Sequence, residues 1–233
     1  MSANTGNLIA SLEGGLVVSC QTSERNPLHG LEHSVAIAQA AEIGGASGIR
    51  ADGPEQLAAI RRAVQLPVIG IFTQANERYR VWITPTFEAA RALVESGADA
   101  VALDGTSRPR AGGETLEEIV DRIQSELRVP VMADVASVED GVRARDAGVD
   151  FLGSSIEGYE RPSRDPDPDV ALVAALVSEV GLPVIAERHY STPDHITAAF
   201  DAGALAVVVG SAISDPVVIT RRLVARTQRA STH

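Results

Sequence analysis

One phrase recurs four times along this chain, and the recurrence limits the possible folds more than any other feature. A helical pattern ends in a small, Gly-containing segment that leads at once into an apolar run. The copies are Glu42-Ile43-Gly44-Gly45-Ala46-Ser47-Gly48-Ile49-Arg50, Glu95–Asp104, Asp146–Ser154 and Asp201–Ser211. Glycine after a helix suits a left-handed C-cap, and the apolar run beyond it reads as a parallel strand buried on both faces. Three further strands are introduced by proline, in Leu66-Pro67-Val68-Ile69-Gly70-Ile71, Val129-Pro130-Val131-Met132-Ala133-Asp134 and Leu182-Pro183-Val184-Ile185-Ala186-Glu187. Proline fits the first position of a strand, where no ladder donor is needed. With Leu16–Gln21 at the start, the strands number eight.

Helical patterns fall between them at 31–44, 54–64, 87–96, 114–127, 137–147, 168–180, 193–202 and 216–228. Eight strand–helix alternations within 233 residues predict an α/β fold of the (β/α)8 TIM-barrel type, one domain over residues 1–233. The alternative is a doubly wound open sheet. Against it, Cys20-Gln21-Thr22-Ser23 follows the first strand where a Gly-rich dinucleotide fingerprint would stand. The polar stretch Gly158–Asp169 reads as a long loop after the sixth strand rather than as a linker between domains.

Composition narrows the chemistry. All 20 cationic side chains are arginines, which excludes Schiff-base, pyridoxal-phosphate and P-loop mechanisms that depend on a lysine amine. With aromatics at only 3%, the core is expected to be Ala, Val, Leu and Ile. A net charge of -11 without an Arg–aromatic cluster argues against a nucleic-acid partner. Cys20 is the only cysteine, so no intrachain disulfide and no Cys-rich metal site can form. Residues Met1–Glu13 lack the basic and apolar regions of a leader, and no apolar run is long enough to span a bilayer. The expectation is a cytoplasmic protein without a membrane partner.

In such barrels the chemistry sits where the strands end, and polar residues gather there. They are Cys20 and Gln21, Arg50, Thr73 and Gln74, Asp104, Asp134, Ser154 and Ser155, Glu187 with Arg188 and His189, and Gly210 with Ser211. Asp134 and Glu187 close matching strands, so both carboxylates are expected in one cavity. There they serve either as a general acid or base or as ion-pair partners of an arginine such as Arg50. Gly210 and Ser211 suit phosphate binding through backbone amides, or a helix N-cap. His189 lies two residues past Glu187 and returns to the same side if the strand continues. No other His falls at a strand end, and Cys20 alone does not complete a metal site beside His189, so no metal and no cofactor are expected. Cys20 is either a nucleophile or a packing residue, and Tyr79 and Trp82 either cover the mouth or anchor the excursion after the third strand. The final segment Pro216–Val224 covers either the barrel wall or a homodimer contact.

From Gly14 to Arg222 the chain resembles the N-acetylmannosamine-6-phosphate 2-epimerase family of bacterial sialic-acid catabolism. The phrases that carry the resemblance are Gly15–Gln21, Gly48-Ile49-Arg50-Ala51, Ile83-Thr84-Pro85-Thr86, Ala102-Leu103-Asp104, Met132-Ala133-Asp134, Val184-Ile185-Ala186-Glu187 and Val207–Ile213. The resemblance implies a (β/α)8 isomerase that interconverts N-acetylmannosamine 6-phosphate and its glucosamine epimer by removing and returning the C2 proton, without a redox cofactor. It also implies a catalytic glutamate at Glu187 and substrate contacts at Gln21, Arg50 and Asp134.

Two positions depart from the family's pattern. Its catalytic lysine falls on Thr73, and its Glu-Gly-Arg becomes Glu187-Arg188-His189. Threonine is no base near neutral pH, so His189 or Asp134 must take the proton if the family reaction is kept. Two other readings are an epimerase of a related substrate, with Arg188 meeting a different substituent, and a sugar-phosphate binding protein without catalysis. The leading expectation is the epimerase, with Asp104 and Thr73 among the substrate contacts and a sugar phosphate as partner.

Overall fold

The computed structural model describes residues 3–21, 26–75, 78–156 and 167–227. Most of the predicted loop at 158–169, and His233, lie outside these residues. Eight parallel strands close into a barrel in sequence order, β1 Gly15–Ser19, β2 Gly48–Asp52, β3 Val68–Ile71, β4 Ala100–Asp104, β5 Val131–Asp134, β6 Phe151–Gly153, β7 Val184–Glu187 and β8 Ala206–Val209. Pairing of β8 with β1, from Gly15 opposite Ala206 to Val18 opposite Val209, completes the ring and excludes the open sheet.

The crossover helices are α2 Leu31–Ile43, α3 Pro54–Ala63, α4 Phe87–Glu95, α5 Leu116–Arg122, α6 Val138–Asp146, α7 Val170–Val180 and α8 Pro193–Asp201. α5 runs on through a wider turn, Ile123–Leu127, and stops at Arg128 in a left-handed conformation. Their starts follow local chemistry. Thr86, Ser137 and Thr192 each accept a backbone N–H three residues on, and Thr115 with Glu118 forms a reciprocal capping box. Among the repeated glycines, Gly97, Gly148 and Gly203 take positive φ near 90–99°, while in the first copy Gly45 rather than Gly44 does so.

Among the described residues, two α-helices lie outside the sequence expectations. α1, Ala3–Leu12, precedes the barrel and presses Leu8 and Leu12 against its N-terminal end. Gly48 accommodates it, because a Cβ there would stand 2.8 Å from Leu12 Cδ2. A single turn, α9 Ser211–Ser214, separates β8 from the final helix α10, Pro216–Val224. Asp215 caps α10 by accepting from the N–H groups of Val217 and Val218.

Side-chain alternation sorts the strands into two cores. Outward residues such as Ile49, Val101, Leu103, Leu152 and Val207 meet the helices. Inward residues such as Val17, Ile69, Ala102, Met132, Phe151 and Ile185 fill the barrel up to the mouth. The inward rows then end in polar residues, and this parity places the site. Among the described residues no helix is long and apolar enough to cross a membrane.

Candidate active site

The inward position after Gly48 is Arg50, whose side chain is only 2% exposed. A buried guanidinium needs partners, and two strand ends supply them. Arg50 Nη2 lies 2.5 Å from Asp134 Oδ2, and Nη1 lies 3.2 Å from Asp134 Oδ1 and 2.6 Å from Glu187 Oε2. Asp134 is fully buried, with both oxygens engaged by Arg50. Gly153 leaves it room, since a Cβ there would come within 2.8 Å of Asp134 Oδ1.

Glu187 differs from Asp134 in reaching the open mouth, with its side chain 16% exposed. Burial pushes its carboxyl up to about 7, with the charge of Asp134 adding to the rise and Arg50 and Arg188 opposing it. One guanidinium shared by two carboxylates explains why Arg50, though in contact, does not cancel the effect. The strand end is held by Ser154, whose hydroxyl accepts from Glu187 N–H at 3.1 Å and donates to its carbonyl at 3.3 Å.

Extended geometry stops at Glu187. Arg188 and His189 have φ of 86° and 62°, so strand alternation does not govern where the imidazole goes. Left-handed backbone at a residue with a Cβ costs roughly 1–2 kcal/mol, and such strain concentrates at functional positions. Arg188 is braced there by Nη1 donating to Ser155 O at 3.1 Å.

These groups surround a cavity of about 360 Å³, within the range that holds small-molecule ligands. Gln21, Arg50, Thr73, Glu187, Arg188, His189, Gly210 and Ser211 line it. Asp134 stands behind Arg50 rather than in the lining. Asp104 is also outside it: the carboxylate accepts from Thr106 N–H at 2.8 Å and faces Arg108 at 3.9 Å, and burial raises its pKa. Gly210 is the N-cap of α9, and Ser211 is its first residue. Cys20 is a packing residue, wholly buried, with burial pushing its thiol up to about 12. Trp82 anchors the excursion after β3, its indole N–H donating to Tyr79 O at 3.0 Å while Thr73 and Ile83 pair in an antiparallel bridge.

Sequence reasoning missed Ser19, Tyr190 and Arg222 in the lining. Ser19 and Tyr190 adjoin recognised strand ends. Arg222 belongs to α10, and nothing in the order of residues announces that a helix on the outside of the barrel sends an arginine to the mouth.

A closed (β/α)8 barrel with a carboxyl raised to about 7, a buried guanidinium and further arginines at its C-terminal mouth defines an enzyme fold suited to a small anionic substrate. Over residues 34–229 the chain matches the family described as "Putative N-acetylmannosamine-6-phosphate epimerase". It is 46% identical over 224 residues to a Cutibacterium acnes protein named "Putative N-acetylmannosamine-6-phosphate 2-epimerase", covering 94% of this chain and 96% of that one. A protein of the same name from Caldanaerobacter subterraneus is 42% identical over 220 residues, covering 94% and 93%. The solved N-acetylmannosamine-6-phosphate 2-epimerase from Clostridium perfringens superposes with a TM-score of 0.90 at 34% identity, covering 94% of this chain and 96% of the other. The chain belongs to the N-acetylmannosamine-6-phosphate epimerase family, a family of carbohydrate isomerases.

Proposed function

We propose that this protein interconverts N-acetylmannosamine 6-phosphate and N-acetylglucosamine 6-phosphate. The observation that carries the reading is Glu187, a carboxyl poised near pH 7 at the rim of the cavity and held by Arg50. A carboxylate tuned to the working pH can take a proton from carbon and give it back. In the open-chain sugar the C2 proton passes to Glu187, and its electron pair forms an enolate across C1 and C2. A proton then returns to C2 from the other face, and the C1 carbonyl re-forms. The groups bound to C2 are otherwise unchanged, so no oxidant or reductant is consumed.

The second proton carrier is His189. Asp134 has both oxygens on Arg50 and no place in the lining, whereas His189 lines the cavity and an imidazole carries a proton in either direction near neutrality. The phosphate is met by Arg188 and Arg222, with Gly210 and Ser211 in the same lining. Gln21 and Thr73 contact the sugar, and Asp104 supports the mouth from behind its loop. The chain works in the cytoplasm, and its net charge of -11 disfavours nucleic acid. It forms a homodimer through α10, which buries none of its residues in the single chain.

The test is solvent exchange. Wild-type protein in deuterium oxide is expected to place deuterium at C2 of both epimers, and Glu187→Gln to stop it. Binding of the sugar phosphate with no deuterium after long incubation would replace this reading with a binding protein.

A further inference from the structure

Asp52 ends β2 and does not line the cavity, yet it holds two residues that do. Its Oδ2 accepts from Gln21 Nε2 at 2.9 Å, and its Oδ1 accepts from Thr73 N–H at 2.8 Å. Gln21 follows β1 and Thr73 follows β3, the two strands that flank β2. One carboxylate therefore ties three adjacent strand ends together at the mouth. Asp52 is itself fixed, its N–H donating to Gln56 Oε1 at 2.7 Å, while Gln56 Nε2 donates to Ser34 Oγ at 2.9 Å.

The consequence follows from donor and acceptor inventories. A glutamine amide has a donor end and an acceptor end of nearly the same shape, and its surroundings decide which points where. An ionised aspartate only accepts, so it draws the Gln21 NH2 toward β2. Ser19 Oγ donates to the other end, Gln21 Oε1, at 3.1 Å. With both ends fixed, Gln21 has one N–H and one carbonyl lone pair left, each in a set place. Ser19 gives no such direction alone, because a hydroxyl both donates and accepts.

We propose that Asp52 is a positioning residue for ligand recognition, fixing the Gln21 amide so that a single N–H donor faces an oxygen of the bound sugar, a hydroxyl or an N-acyl carbonyl. The sugar's identity rests on the function proposed above, whereas the orientation of the amide does not. A carboxylate is required because a neutral amide at position 52 would permit the opposite orientation.

Asp52→Asn is the discriminating variant. Asparagine keeps the volume and an oxygen for Thr73 N–H, but its NH2 then opposes Gln21 Nε2, donor against donor. Gln21 relieves this by turning over, which exchanges the N–H and the lone pair offered to the ligand. Two measurements follow. In nitrogen-15 spectra of the ligand-free protein, the Gln21 side-chain signal is assigned by its loss in Gln21→Ala. In wild type one of its protons is expected to be shifted downfield and protected from solvent, and in Asp52→Asn this shift disappears while the melting midpoint is kept. In the exchange assay with N-acetylmannosamine 6-phosphate, Asp52→Asn is expected to raise KM about tenfold, the size of one lost hydrogen bond, with kcat within about twofold. On the Gln21→Ala background it adds nothing.

An unchanged Gln21 signal in Asp52→Asn, or an equal rise in KM with and without Gln21, overturns the proposal. If the signal changes as expected while wild type neither binds nor converts the sugar phosphate, the assigned substrate fails and the orienting role stands.

Discussion

Arg50 Nη1 sits 2.6 Å from Glu187 Oε2 while the same guanidinium holds both oxygens of Asp134. Two carboxylates thus share one positive charge inside the barrel, and burial keeps the Glu187 proton up to about pH 7. Proton abstraction needs the ionised form. Exchange at C2 is expected to rise about tenfold per pH unit below 7, as the required deprotonation of Glu187 dictates. Stability runs the other way. The unfolded chain releases this proton near pH 4.3, so the folded state's hold on it stabilises the protein most below that pH. The contribution is lost as pH rises toward about 7. Denaturant midpoints across this window are expected to fall more in wild type than in Glu187→Gln.

Asp134 acts on the same equilibrium from behind Arg50. Its charge is one of the causes that raise Glu187, so Asp134→Asn is expected to move the acid limb of the exchange profile to lower pH. The variant also weakens a buried ion pair while leaving Arg50 with Glu187, and a loss of about 2 kcal/mol is expected in urea denaturation. A direct catalytic role for Asp134 would instead abolish exchange at every pH. The position of the limb separates the two.

The barrel was legible because strand burial and helix capping are local chemistry. Gly97, Pro130 and Thr192 mark boundaries by their own backbone preferences, and period-two alternation sends Arg50, Asp134 and Glu187 inward. Alternation stops being informative where the backbone leaves the extended region. His189 could not be placed from sequence because φ turns positive at Arg188, where the residue type gives no warning. Asp52 was missed for a different reason: its partners Gln21 and Thr73 lie 31 and 21 positions away. Only the closed sheet makes them neighbours. α1 went unread because its apolar residues, Leu8 and Leu12 among them, are too few to announce a helix without the barrel end they cover.

His189 and Thr73 form the next test, since the resemblance places the family's catalytic lysine at 73 and both residues line the cavity. His189→Asn is expected to slow C2 exchange by about 100-fold, the lower range for loss of a general acid or base. Thr73→Lys supplies an amine at the other side of the mouth. Combined with His189→Asn it is expected to recover exchange by about tenfold or more. A His189→Asn variant as active as wild type would remove the imidazole from the reaction.

Arg188 separates strain from recognition. Glycine adopts a φ of 86° freely and alanine does not, while both delete the guanidinium and its bond to Ser155. Arg188→Gly is therefore expected to be more stable than Arg188→Ala by about 1 kcal/mol in chemical denaturation. Both are expected to lose affinity for the sugar phosphate equally, by at least about tenfold, because each loses one charge-assisted contact. If the alanine variant alone loses affinity, the left-handed backbone rather than the arginine is what the ligand needs.

The outer face of α10 carries the last expectation. No residue of this helix is buried in the single chain, and Leu223 and Val224 are 67% and 51% exposed, with Ile213 of α9 nearby in sequence at 43%. In the homodimer proposed above, these apolar side chains form the face that the second copy covers. A charge in that face is costly only if a second copy buries it, because an exposed helix position tolerates aspartate. Leu223→Asp is accordingly expected to shift the protein from dimer to monomer in light scattering while leaving the barrel's melting transition in place. Arg222 precedes Leu223 on the same helix and lines the cavity, so the monomer is also expected to show a raised KM for the sugar phosphate. A wild-type protein that scatters as a monomer at high micromolar concentration would remove both expectations, since α10 would then seat Arg222 without help.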